Sequence, residues 1–269
     1  MNINDFRYVW RGKIQRPLRQ EGVHELAPID QRTPQHDRAL LLLHGFSSTP
    51  AVYRALLPDL PAYDAIVCPT LPGHGDSIAA FSTIKATDWM SNVQTLAESL
   101  AKEYKHLDVM GLSLGGLLAC HISQHLPINH LYLLAPALAL MLHVPLAIQG
   151  ARLLHFLGFH SLRNRGGHLC SQDYSELTYR QLPLQTILEL LTLVKDFPFK
   201  PPTCPTDLFL GRFDDVVDSK RVEQLFLQSS NCHIHWLEHS AHVLPLDNDK
   251  DEIIACIRRD FLNPSLEEA

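Results

Sequence analysis

Basic residues are in short supply. The 269-residue sequence carries 23 Lys and Arg against 29 Asp and Glu, a formal net charge of −6, and no stretch in which the cations cluster. Proteins that hold nucleic acid neutralise phosphates with grouped Lys and Arg, so no nucleic-acid partner is expected. The first eleven residues have no apolar run behind a basic start, so no secretory signal is read and a cytoplasmic protein is expected. The six cysteines, Cys68, Cys120, Cys170, Cys204, Cys232 and Cys256, form no C-x-x-C pair and show no metal-ligand spacing. They are expected to be reduced, partly buried small hydrophobes. Neither a repeat nor a low-complexity tract is present. No uninterrupted membrane span is present either: residues 137–159 are rich in Leu, but His143, Pro145, Gln149, Arg152 and His155 break the run. Two short helices over a pocket are expected there, with membrane-surface contact through this cap open to the segment but not expected.

What is present is enough apolar material, 46% of residues, for one well-filled domain. From residue 40 onward, short apolar runs at 40–43, 65–68, 107–110, 131–134, 208–210 and 234–237 alternate with helical patterns. Continuous apolar runs suit buried parallel strands, and the alternation predicts an α/β fold, a mostly parallel sheet with helices on both faces. Thr49 before Pro50 and Asp218 before the segment reaching 227 read as helix N-caps. Between 137 and 202 the alternation stops, and Ile187, Leu190, Leu191 and Val194 recur at helical spacing. The expected organisation is an N-terminal arm or edge strands over 1–38, a core over 39–136 and 203–263, and a helical cap insertion over 137–202. Residues 264–269 read as a frayed tail.

The run Gly111-Leu-Ser-Leu-Gly115 sits between a strand and a helix start. Glycines two positions either side of Ser113 permit a sharp turn that lifts the hydroxyl above the sheet, at a helix N-terminus whose field favours a developing oxyanion. Serine needs a base to take its proton and a carboxylate to orient that base. Among sixteen histidines, His242 follows the last strand and precedes the C-terminal helix; His239 is its competitor, while His233 and His235 read as structural. Asp214, three residues past Gly211, follows the preceding strand, and Asp215 is the alternative acid. His44-Gly-Phe46 follows the first strong strand, so the backbone N–H groups of Phe46 and Leu114 are the expected oxyanion donors. His121 and His125 stand four apart on one helix, but Ile122 occupies the place where a zincin needs Glu, so no metal is expected. His74 reads as loop geometry, and Arg152, Arg163 and Arg165 as solvated surface.

These landmarks, His44-Gly-Phe, Leu71-Pro-Gly-His-Gly-Asp-Ser77, Gly111-Leu-Ser-Leu-Gly-Gly116, Gly211-Arg-Phe-Asp-Asp-Val-Val217 and Ser240-Ala-His-Val-Leu-Pro-Leu-Asp247, resemble those of the α/β-hydrolase superfamily over residues 40–262. More narrowly they are similar to bacterial carboxylesterases and monoacylglycerol lipases. The resemblance implies the α/β-hydrolase fold with an inserted helical cap, the set Ser113, Asp214 and His242, donors at Phe46 and Leu114, no cofactor, and a small acyl ester as substrate. Medium-chain esters or monoglycerides suit the Leu-rich cap. A thioesterase or other acyl hydrolase is the alternative reaction, and a non-catalytic ligand receptor the alternative from another class.

Overall fold

The computed structural model describes residues 1–262, and the tail expected at 264–269 lies outside the described residues. In chain order the elements are β1 (Phe6–Trp10), β2 (Ile14–Pro17), β3 (Ile29–Arg32), β4 (Arg38–Leu43), β5 (Ala65–Cys68), α1 (Ile78–Phe81), α2 (Ala86–Glu103), β6 (His106–Leu112), α3 (Leu114–Ser123) and β7 (His130–Leu134). There follow α4 (Val144–Phe156), β8 (Ser161–Arg163), β9 (Glu176–Tyr179), β10 (Gln181–Pro183), α5 (Leu184–Asp196), β11 (Thr206–Gly211), α6 (Ser219–Phe226), β12 (Cys232–Leu237) and α7 (Lys250–Leu262).

The main sheet has seven strands in the order β12-β11-β7-β6-β4-β5-β3. All pairs are parallel except β3 with β5 at the edge. Strands covered on both faces can use an apolar residue at every position, which is why the six runs read from the sequence all fall inside strands of this sheet. β4 and β11 are buried along their whole length. Two apolar layers flank the sheet. One contains Trp89, Val93, Leu117 and Leu118 from α2 and α3; the other contains Tyr53, Leu244, Ile253 and Ile257.

The arm divides between two sheets. β3 closes the edge of the main sheet, whereas β1 pairs with β2 on one side and with β9 on the other, both antiparallel. The stretch 137–202 holds helices α4 and α5 and also the strands β8, β9 and β10, so it adds short sheet to the helices expected there. Over 137–159 there is one helix rather than two. His143 accepts from the N–H of Leu146 as its cap and Pro145 sits in its first turn, so these two start a single helix that carries Gln149, Arg152 and His155 within it. Thr49 heads only the short 3-10 turn Pro50–Tyr53 and makes no side-chain cap bond, whereas Asp218 caps α6 by accepting from the N–H of Arg221. Among the described residues no helix is long and apolar enough to cross a membrane.

Candidate active site

β6 is the central strand, flanked by β4 and β7, and it ends in the turn that carries Ser113. Ser113 has φ 55° and ψ −113°, a conformation that L-residues avoid, at a cost of about 1–3 kcal/mol. The turn is held from both sides: the N–H of Ser113 donates to Leu134 O at 2.9 Å, and its carbonyl accepts from Leu117 and Ala137 at 3.1 and 3.0 Å. The flanking glycines are sterically required. A Cβ on Gly111 would overlap the backbone of Gly115, and one on Gly115 would overlap the carbonyl oxygen of Leu43. Close packing of α3 against β4 is thereby possible only without side chains.

The loop after β4 lies beside this turn, since a Cβ on Gly45 would stand 3.5 Å from Ser113 Cβ. Two buried histidines fasten it. His44 Nδ1 donates to Gly45 O (2.9 Å) and its Nε2 accepts from the N–H of Leu71 (3.0 Å). His74 Nδ1 donates to Pro72 O (3.2 Å) and its Nε2 accepts from the N–H of Ser47 (3.1 Å). Burial lowers both pKa values, that of His44 to about 4, so both rings are neutral and can serve as acceptors. His74 is therefore buried inside the loop packing, against Phe46, Phe81 and Trp89. Leu114 is the first residue of α3, where a backbone N–H has no intrahelical acceptor.

His242 lies in the loop between β12 and α7, and its Nδ1 is 2.8 Å from Asp214 Oδ2. The other oxygen, Oδ1, accepts from the N–H groups of Val216 and Val217, each at 2.8 Å, which fixes the carboxylate plane. Asp215 points elsewhere, to His168 Nδ1 at 2.7 Å, with its side chain 68% exposed. His239 is likewise turned away: its side chain is 75% exposed and its Nδ1 faces Asp249 at 3.2 Å. Burial by itself would depress the pKa of His242, but the charge and hydrogen bond of Asp214, reinforced by Glu176 and Asp215, raise it above the ordinary 6.5.

Ser113, His242 and Phe46 all line one cavity of about 510 Å³, roofed by Leu142, Leu154, Leu190 and other side chains of the 137–202 stretch. Three residues not singled out from the sequence line or support it. Glu176, at the start of β9, is a buried carboxylate in this mostly apolar chamber, and its Oε2 accepts from the N–H of Gly167 at 2.6 Å. Burial raises its pKa, and the Gly167 N–H with His168 and His242 offsets part of that. The carbonyl of His168 accepts from the N–H groups of His242 and Val243, both at 3.1 Å, tying the insertion to the base's own loop. Asp247 pins the same loop by accepting from Ala241 at 2.8 Å and from Ser171 at 2.7 Å. The only sequence signal for these was a charged residue standing within a short apolar strand, Glu176-Leu-Thr-Tyr179. Arg152, Arg163 and Arg165 lie in the insertion, and all three are exposed. The rings of His121 and His125 lie 4.5 Å apart and tilted by 53°, with His125 Nδ1 donating to the carbonyl of His121.

A serine on a strained turn and a carboxylate-oriented imidazole line one mostly apolar chamber, an arrangement suited to acyl transfer. The profile of the "Alpha/beta hydrolase family" matches residues 40–255. The chain is 29% identical over 227 residues to a thermostable monoacylglycerol lipase of Bacillus sp. (strain H-257), covering 80% of this chain and 86% of that one. It is 26% identical over 225 residues to a carboxylesterase of Bacillus subtilis (strain 168), covering 80% and 88%. Among solved structures, one described under the metagenome-derived lipolytic enzymes LipS and LipT superposes with a TM-score of 0.74 at 25% identity, covering 87% of this chain and 98% of that chain. A soluble variant of monoglyceride lipase from Saccharomyces cerevisiae shares the fold, with a TM-score of 0.68 at 17% identity, covering 90% and 92%.

Proposed function

This chain belongs to the alpha/beta hydrolase family, and from that premise we propose that it is a serine esterase cleaving carboxylic esters, monoglyceride-like ones included, through an acyl-enzyme on Ser113. The observation that carries this reading is the pairing of the Asp214–His242 hydrogen bond with Ser113 in one apolar cavity. His242 Nε2 takes the Ser113 proton as the hydroxyl oxygen attacks the ester carbonyl. Asp214 holds Nδ1–H, fixing the tautomer and stabilising the imidazolium. The tetrahedral oxyanion is received by the N–H groups of Phe46 and Leu114, one such donor being worth roughly two to three orders of magnitude in rate. His242 then protonates the leaving alcohol. Water, activated by the same imidazole, hydrolyses the acyl-enzyme and returns the proton to Ser113.

Residues 137–202 serve in this reading as the cap, 39–136 and 203–263 as the core, and 1–38 as an arm that braces the cap through β1 and β9. The acyl chain lies among the cap leucines, each buried methylene contributing about 0.8 kcal/mol. Glu176 is the buried acceptor for a free hydroxyl on the alcohol portion, which favours partial glycerides over fully apolar esters. Leu146, Leu153, Phe156 and Leu157 are exposed on and just after α4, Phe156 by 85%, and form the face that meets aggregated lipid. Turnover of p-nitrophenyl esters by Ser113→Ala is the direct test. Loss of at least a thousandfold is expected, and activity within tenfold of the parent overturns the assignment.

A further inference from the structure

Far from the cavity, toward the amino ends of the sheet strands, polar side chains from four elements meet under α7. His130 opens β7, Asp207 is the second residue of β11, His235 lies on β12, and Cys256 and Asp260 stand one turn apart on α7. The ester reaction uses none of them. Asp207 is wholly buried, with Oδ2 2.7 Å from His130 Nε2 and Oδ1 2.5 Å from His235 Nε2. Asp260 Oδ2 lies 3.6 Å from His130 Nε2 and 3.4 Å from Cys256 Sγ, which is itself 4.0 Å from His235 Nε2. The five side chains thus close a ring. Asp207, His235 and Cys256 form one compact donor set, and Asp207, His130 and Asp260 another, with all donor atoms of each set within 4.8 Å of one another. Ligands of a four-coordinate zinc at about 2.0–2.3 Å stand roughly 3.3–3.8 Å apart, so the ring needs only small rotations to enclose an ion.

We propose that this ring is a structural binding site for a divalent cation of the zinc class. His235 Nε2, Cys256 Sγ and Asp207 Oδ1 are its first three ligands, and Asp260 Oδ2, 3.4 Å from Cys256 Sγ, reaches the fourth position on rotation of its side chain. His130 orients Asp207 through Oδ2. Mixed nitrogen, sulfur and oxygen donors select this class over calcium or magnesium, which take oxygen alone. Binding releases the Cys256 thiol proton to solvent and moves the His235 ring proton from Nε2 to Nδ1. The half-exposed Arg259 covers the ring, with Nη2 3.5 Å from Asp207 Oδ1 and 3.2 Å from Cys256 Sγ. It is the cation a metal competes with, and its exposure gives the entry path.

The test uses the full chain, stripped with chelator and titrated with zinc chloride by calorimetry and with cobalt chloride by absorption. One zinc per chain is expected, with cobalt giving a thiolate charge-transfer band in the near ultraviolet. Cys256→Ser should abolish the band, and both it and His235→Gln should weaken zinc by about tenfold or more. Cys232→Ser should change neither, and circular dichroism of the metal-free variants checks their folding. Absence of zinc binding, a cobalt spectrum without the thiolate band, or stoichiometric binding unchanged in His235→Gln would each overturn the site. Because turnover at Ser113 is read separately, failure here leaves the esterase assignment standing, and the reverse holds too.

Discussion

Replacing Asp214 with Asn separates geometry from charge, and the hydrogen bonds around it determine the outcome. Oδ1 already accepts two backbone N–H groups, from Val216 and Val217 at 2.8 Å each. An Asn side chain can satisfy both only by placing its carbonyl oxygen there, which turns its amide NH₂ toward His242 Nδ1. A donor at that position forces Nδ1 to be the acceptor and moves the ring proton to Nε2. His242 then meets Ser113 with N–H in place of a lone pair and cannot act as base. Shape is preserved while the tautomer is wrong, a change that costs about 10⁴ in kcat, or roughly 5.4 kcal/mol in barrier. Steady-state turnover of p-nitrophenyl butyrate at pH 8 measures it, with the thermal midpoint as a check on folding. Asp215→Asn should lie within about threefold of the parent, since Asp215 faces His168. A loss below tenfold in Asp214→Asn, or equal losses in the two variants, would refute the assignment of the acid.

Because the base works only when neutral and its pKa is raised above 6.5, kcat/KM should fall with decreasing pH along a limb whose midpoint lies above 6.5. Glu176→Gln removes a negative charge near His242, so this limb should move to lower pH; a limb that stays or rises contradicts the electrostatic reading. The same variant should reduce kcat/KM about tenfold for monobutyrin, where a hydroxyl loses a charged acceptor, and less than threefold for p-nitrophenyl butyrate. Phe156→Ser should lower activity on emulsified monoglyceride severalfold while leaving dissolved p-nitrophenyl acetate unchanged, a contrast that a folding defect would not produce. In Gly115→Ala the new methyl meets the Leu43 carbonyl, so at least about 1–3 kcal/mol of destabilisation is expected in urea unfolding, together with loss of activity.

The main sheet could be read in the sequence because burial on both faces writes itself as apolar runs, as at 40–43 within Arg38–Leu43 and 208–210 within Thr206–Gly211. The sharp turn at Ser113 was legible for a similar reason: Gly111 and Gly115 are imposed by backbone contact, which leaves no choice of side chain. The short strands had no such signature. β2 is mostly exposed, and β9 owes its pairing to β1, more than 160 residues earlier, so neither carries a local pattern. Glu176 carried only a weak signal, a charge beside Leu177 and Tyr179, because its burial exists only once the arm and cap close over it. Likewise Asp214 and Asp215 are equivalent as adjacent carboxylates in sequence. They part only when the chain turns one toward His242 and the other toward His168.

Sixteen histidines made the sequence ambiguous, and what resolves them is the partner on each ring nitrogen. His44 and His74 have backbone groups on both nitrogens, so burial keeps them neutral and they act as clamps on the loop after β4. His130 and His235 give Nε2 to one shared carboxylate, Asp207, and neither lines the chamber that holds Ser113. His242 differs from both kinds: one nitrogen is held by Asp214 while the ring lines the chamber that also contains Ser113. A base must have one nitrogen anchored and the other facing the reactant, and a clamp must have neither exposed. On that criterion the clamps are as necessary to the site as the base. Converting His74 to Phe would keep ring volume yet remove the acceptor for the Ser47 N–H, loosening the loop that presents Phe46. The cost should appear in kcat far more than in KM, because the donor on that loop meets its full charge only in the transition state.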